Sequence, residues 1–139
     1  MLNRGWIVSL AVLVALPALA DSAFPDLRGT WKGQSESIVM GAGNNHHAGA
    51  PGSPVHLSSV AFTMKIDMQD GRRFSGTFAS PKASETIIGV ISRTGAIYIL
   101  DDDGDTTAAL LAPDRLELCY LQGPGKNRVA SCTEFTKQP

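Results

Sequence analysis

The sequence predicts an all-β protein, an eight-stranded antiparallel up-and-down meander that closes into a barrel. Apolar residues recur with a period of two, short turn sequences separate the segments, and no stretch has the 3.6-residue period of an amphipathic helix. Because short connections make neighbouring strands pair antiparallel, the segments form a meander. Eight strands can close around a packed or small-ligand interior and leave no free edge. A flattened two-sheet sandwich is the alternative.

The eight predicted strands follow in order along the chain. The first, 27–40, precedes a long loop, and 60–68 alternates most clearly before the hairpin turn Asp70-Gly71. The other predicted strands are 74–78, 87–91, 96–100, 106–111, 116–121 and 128–136. The residues predicted to line the interior are the alternate apolar positions Val60, Phe62, Met64, Ile66, Met68, Phe74, Phe78, Ile88 and Val90.

Residues 1–20 have the pattern of a secretory signal peptide. Arg4 precedes the apolar run 6–16, and Ala18-Leu19-Ala20 offers the small residues that signal peptidase requires, so cleavage is expected after Ala20. The run is shorter than the roughly 20 residues of a membrane span, so we expect no stable membrane anchor. The expected product, 21–139, suits a single domain in the periplasm or outside the cell.

The charge balance argues against a nucleic-acid partner. Taking Arg4 away from the 12 basic residues leaves 11 against 13 acidic ones, a formal charge of −2, and runs of like charge are short. A domain of this kind lacks the basic patch that phosphate backbones require.

Cys119 and Cys132 are the two cysteines of the chain, and they flank a predicted hairpin loop. If the hairpin folds about Gly125 and Lys126, the two fall opposite each other, at the spacing of cross-strand partners. An exported protein meets oxidising conditions, so a disulfide is the favoured interpretation. Two reactive thiols or half of a metal site is the alternative.

The long loop, about 41–57, contains all three histidines of the chain, His46, His47 and His56. Loops of this length are binding loops, lids or disordered segments. The favoured expectation is a flexible lid or rim, and the second is a disordered segment. Zinc needs three or four converging ligands. Side chains of adjacent histidines point apart in an extended chain, and the third lies nine residues further on, so no metal site is expected.

Two acidic features are weak candidates for chemistry. The segment 101–106, DDDGDT, resembles a calcium loop but lacks the Glu at the twelfth position and the flanking helices. Glu117 and Glu134 are predicted to face each other across a strand pair beside the cysteines, on the outer face if Leu116, Leu118 and Phe135 form the core. No cofactor and no catalytic activity are therefore expected.

Three short pieces of sequence resemble the avidin and streptavidin barrels: DLRGTWKGQ at 26–34, DGRRFSGTFAS at 70–80 and CTEFTK at 132–137. The Gly-x-Trp of the first piece is also similar to the opening of lipocalins. The resemblance implies a calycin-type barrel in which Trp31 closes one end beneath a basic side chain, with Arg115 and Arg128 as candidates. Biotin-binding barrels hold several tryptophans around the ligand, whereas 21–139 contains Trp31 alone, so biotin binding is not expected.

The chain also resembles an uncharacterised group of small exported bacterial proteins, which implies no activity. The predicted function is a binding protein for a small apolar molecule, without catalysis. Alternatively, the chain contacts or inhibits a protein partner through the 41–57 loop or an outer sheet face. The oligomeric state is left open. The candidate ligand-contacting residues are Trp31, Phe62, Met64, Phe74 and Phe78.

Overall fold

A computed structural model describes residues 24–50, 52, 54–102 and 104–139, and these residues form nine β-strands and no helix. The signal peptide predicted at 1–20 lies outside them. The strands are β1 (Gly29–Met40), β2 (His56–Ser58), β3 (Ala61–Asp70), β4 (Arg73–Ala79), β5 (Ser84–Ile91), β6 (Ile97–Leu100), β7 (Asp105–Ala112), β8 (Arg115–Gln122) and β9 (Arg128–Lys137).

Eight of these strands close into a barrel. Every neighbouring pair from β3 to β9 is antiparallel, and β1 pairs with β3 on one side and with β9 on the other. The β1–β9 pairing runs from Trp31 opposite Lys137 to Met40 opposite Arg128. The predicted meander barrel is thereby confirmed.

The short strand β2 was not predicted. It spans three residues that overlap the end of the segment 41–57 predicted as a loop, and it pairs with the second half of β1. Three residues are too few for a period of two to show in the sequence.

The core fills the barrel from its closed end, where β1 begins. Trp31 is fully buried there, and its indole nitrogen donates to the Leu27 carbonyl oxygen at 2.8 Å. The main buried cluster also holds Phe62, Met64, Ile66, Phe74, Ile87, Ile91, Ile97, Ile99, Ala108, Leu116, Leu118 and Phe135. The end at which β1 finishes is called the mouth below.

A basic side chain does cover Trp31, but it is neither of the two predicted. The Lys137 ammonium lies 5.3 Å from the centre of the indole ring and donates to the Asp26 carbonyl oxygen. Arg115 instead pairs with Glu134, and Arg128 donates to a backbone carbonyl in its own turn. Lys137 was missed because its position depends on the pairing of β1 with β9, which brings together the first and last strands of the barrel.

Two strands contradict the predicted interior. In β3 a bulge between Ile66 and Met68 shifts the alternation, so Met68 points outward. In β5 the interior residues are Ile87 and Ile91, whereas Ile88, predicted to point inward, is 58% exposed.

The neighbouring strand determines which residues of β5 point into the barrel. Gly89 lies opposite Phe74 of β4, and a Cβ atom on this glycine would meet the Phe74 ring at 2.1 Å. The aromatic ring therefore covers Gly89 on the inner side. Val90, also predicted to point inward, instead lies half-buried on the outer wall opposite the exposed Tyr98.

The predicted disulfide is confirmed. Cys119 and Cys132 are register partners on β8 and β9, with an S–S distance of 2.00 Å. Glu117 and Glu134 face each other on the same outer side and are exposed, because the alternate residues of both strands fill the core. Among the described residues no helix is long and apolar enough to cross a membrane.

Replacing both cysteines by alanine should lower the free energy of unfolding by about 2–3 kcal/mol, because the bridge restricts the unfolded chain. Urea unfolding of the double variant and the wild type measures the difference. The wild-type mass should not change on alkylation without reductant; addition of two alkyl groups would contradict the bridge.

Candidate functional site

The segment 41–50 folds back across the mouth of the barrel. Gly41 and Gly43 adopt positive φ angles of 70° and 74°, which glycine tolerates without strain. The Asn44 side-chain oxygen then accepts the backbone N–H groups of His46 (3.0 Å) and His47 (2.7 Å). This turn directs both imidazoles into the barrel, where they are 6% and 3% exposed.

His46 connects the loop to the turn between β4 and β5. Its Nδ1 atom lies 2.8 Å from the Ser80 hydroxyl, and its Nε2 atom lies 3.4 Å from the Glu85 carboxylate. The second contact is within ion-pair distance but lacks hydrogen-bond geometry. The ring also meets Phe62 and Phe78 edge-on, with centroids 5.4 and 5.7 Å away. His46 therefore packs as an aromatic residue while it keeps polar contacts on both nitrogens.

His47 lies deeper in apolar surroundings. Its ring centre is 5.5 Å from that of Phe62, and its Nδ1 atom has no hydrogen-bond partner among the described residues. Burial, and secondarily the neighbouring His46, lower the pKa of His47 from 6.5 to about 4. The His47 ring is thus neutral at pH 7.

A small cavity lies beneath the two histidines. The volume that the centre of a water molecule can occupy is about 20 Å³, so the cavity has room for one or two waters. Its lining joins five apolar side chains to nine polar ones: Asn44, His46, His47, Phe62, Phe78, Glu85, Ile87, Ile99, Asp101, Thr106, Leu118, Tyr120, Ser131 and Thr133.

Buried serine hydroxyl groups extend from the polar side of this cavity into the barrel wall. The Ser37 hydroxyl donates to Ser35 at 3.0 Å and lies 2.8 Å from the Ser131 hydroxyl. Ser35 also accepts the backbone N–H of Val60 at 3.0 Å. Because the hydroxyl groups of these serines hydrogen-bond one another, they have a structural role at the mouth.

Three polar atoms at the cavity are not satisfied in this way. His46 Nε2, His47 Nδ1 and Glu85 Oε1 are buried and have no hydrogen-bond partner within the described part of the chain. Each such group costs roughly 1–3 kcal/mol unless water or a ligand pairs with it.

The candidate residues from the sequence fall in three places. Phe62 and Phe78 line the cavity, whereas Trp31, Met64 and Phe74 lie in the buried core and do not line it. His56 lies on β2, opposite Val39.

The structure brings together only two of the three histidines, His46 and His47. Over the described ranges, no group of three or more His, Cys, Asp or Glu residues is placed to hold a metal ion.

Sequence reasoning missed Glu85, Ser80 and Tyr120 at the mouth. Glu85 shares a face of β5 with Ile87 and Ile91, but Ile88 and Val90 favour the opposite face equally, so the local sequence does not show that Glu85 is buried. Nothing in the local sequence indicates Ser80 or Tyr120, since both depend on where the loop folds.

Comparisons with known proteins do not place the chain in a family. No protein-family model matches the sequence. The chain is similar to Protein rot1 of Aspergillus niger, with 22% identity over 126 residues that cover 91% of this chain and 52% of that protein. It thus spans about half the length of this curated relative.

Among solved structures, the chain is similar to the S-type phycobiliprotein lyase CPES from Guillardia theta. The TM-score is 0.46 and the identity 14%, over 81% of this chain and 89% of that one. A TM-score of this size is too low to support a shared function. The relationship to avidins and lipocalins stays a prediction.

The buried His47 should make the protein less stable as the pH falls from about 6.5 to about 4. In this range the unfolded chain binds a proton that the folded His47 does not. The shift in pKa corresponds to about 1.4 kcal/mol per unit, so the loss of stability is at most about 3.5 kcal/mol. Below the folded pKa both states are protonated and the loss stops growing.

Urea unfolding at pH 7 and pH 4.5 measures this effect in the wild type and in His47→Gln. Carboxylates contribute to acid destabilisation in both proteins, so the difference between them isolates His47. An equal loss of stability in the two proteins would contradict the assignment.

Proposed function

We propose that this protein is an exported binding protein that holds a small, mostly apolar ligand at the barrel mouth and does not catalyse a reaction. The observation that supports it best is the set of unpaired polar atoms of His46, His47 and Glu85 at a cavity with aromatic and aliphatic walls. Pockets for small molecules combine an apolar lining with a few polar groups of this kind.

The ligand site is confined to the mouth. Ile87, Ile99 and Leu118 form the cavity floor, and the core below them is filled by large buried side chains. The closed cavity holds only a water or two. A ligand of more than a few atoms therefore requires the 41–50 loop to move, which makes this loop a lid.

The polar contacts that hold the lid to the barrel include the His46–Ser80 bond, the Asn44 amide on the Tyr120 hydroxyl at 3.4 Å, and the Ala42 N–H on Asn127 at 2.9 Å. The imidazole rings also pack on Phe62 and Phe78, and His46 Nε2 lies near the Glu85 carboxylate. A segment held in this way opens at lower free energy than the strands beneath it.

The arrangement of Ser80, His46 and Glu85 supports binding better than catalysis. A nucleophilic serine needs a base and space for a substrate. The Ser80 hydroxyl instead accepts the backbone N–H groups of Lys82 (3.2 Å) and Ala83 (3.3 Å) in its own turn. It therefore acts as a turn residue that also fixes the His46 ring. The disulfide supports export, because such bridges persist in oxidising compartments.

A second candidate function is contact with a protein partner through the outer wall, as an interaction or inhibitor module. Four apolar residues are neighbours across the outer faces of β2, β1, β9 and β8: Leu57, Ile38, Ala130 and Leu121. Leu57 is 83% and Leu121 69% exposed. Contiguous exposed apolar surface is typical of interaction sites.

Native mass spectrometry of the protein purified from its own host tests both functions. We expect a monomer or oligomer that carries a small added mass. In Thr106→Leu the larger side chain should fill the cavity and abolish that mass. Thr107→Leu is the matched control, because the next residue on β7 is exposed on the outer wall and should leave the ligand in place.

A bound mass that survives in Thr106→Leu would contradict a ligand at the mouth. A wild-type protein with no small molecule, found only in complex with another polypeptide, would favour the second function instead.

A further inference from the structure

We propose that the ligand of the mouth is an organic ammonium compound, whose apolar body lies against the aromatic walls and whose charged nitrogen contacts Glu85. This inference rests on the proposed function and specifies the chemistry of the same site. Four features of the cavity support it.

The first feature is the charge of the lining. Glu85 and Asp101 contribute carboxylates, and no lysine or arginine is among the lining residues that the structure describes. His47 contributes no positive charge at neutral pH, because burial holds its pKa near 4. A cavity of this composition attracts a cation and disfavours an anionic ligand.

The second feature is the unpaired oxygen of Glu85. This residue is 7% exposed, on the inner face of β5 directly above Ile87. Its Oε2 atom is 3.4 Å from His46, and its Oε1 atom has no partner in the described structure. A buried carboxylate is costly unless it is paired and hydrogen-bonded. An ammonium group supplies both the opposite charge and the missing donor.

The third feature is the aromatic wall. Phe62 and Phe78 stack with their centroids 4.6 Å apart and planes 29° from parallel, and Tyr120 stands on the far side of the cavity. Ring faces attract cations, more strongly when water is excluded. Because the apolar body of an amine also packs well on these rings, one site recognises both parts of the molecule.

The fourth feature is the position of Glu85 under the lid. His46 of the lid is the nearest described partner of the carboxylate, and its contact at 3.4 Å is not a hydrogen bond. When the lid opens, His46 moves away and the carboxylate is exposed to an entering molecule. The ligand nitrogen then takes the place that the imidazole holds in the closed state.

Three six-carbon probes that differ only in their polar group test the inference: hexylamine, 1-hexanol and hexanoate, titrated calorimetrically into the wild type at pH 7.5. Hexylamine is an ammonium ion at this pH, as a lysine side chain is. We expect it to bind about 10-fold or more tightly than hexanol, since a charge-assisted hydrogen bond is stronger than a neutral one. Hexanoate should bind least tightly.

Glu85→Gln should remove the preference for hexylamine over hexanol and leave hexanol binding unchanged, because glutamine keeps the shape of the side chain without its charge. Glu117→Gln is the matched control, since this glutamate is exposed on the outer face of β8. Circular dichroism melting shows whether each variant folds. If Glu85→Gln does not fold, the probe series on the wild type still decides.

Hexanol or hexanoate that binds as tightly as hexylamine would overturn the ammonium inference and leave the binding function standing. The same conclusion follows if no probe binds while the protein from its host carries a small molecule. If no probe binds and the host protein carries none, the binding function fails as well.

Discussion

The pairing of β1 with β9 is the constraint on which the rest of this protein depends. It joins the first and last strands of the barrel over ten residue pairs and so converts a meander into a closed barrel of eight strands. The same register sets Ser131 against Ser37 at the mouth and Lys137 over Trp31 at the closed end. Both ends of the barrel are therefore built by contacts that span nearly the whole described chain.

The mouth combines two opposing requirements. The rings of His46 and His47 fill space above Phe62 and exclude water, which favours the closed loop. Their burial also leaves polar atoms unpaired and keeps a titratable ring neutral, which favours opening. An all-apolar loop would close the barrel more firmly. Under the proposed function, the two histidines make closure stable and still reversible, and they give an entering ligand polar contacts to displace.

The strand pattern and the disulfide could be predicted because each depends on local sequence. The period of two in β3 and the spacing of Cys119 and Cys132 need no knowledge of distant residues. The site could not be predicted in the same way. Glu85 is buried because it lies on the same face of β5 as Ile87. The adjacent Ile87 and Ile88 do not show from the sequence which face of the strand points inward. The Asn44 turn directs His46 inward, but Ser80, the polar partner that its ring meets there, comes from another hairpin.

The short strand β2 has a consequence for how the loop over the mouth is attached to the barrel. The chain leaves β1 at Gly41 and returns as β2 to pair with Ser37, Ile38 and Val39 of that same strand. The loop that carries the lid is thus attached at both ends to the same strand, β1. Opening this loop breaks none of the pairings that close the barrel. Under the proposed function, the loop can therefore open for a ligand without unpairing the strands of the closed barrel.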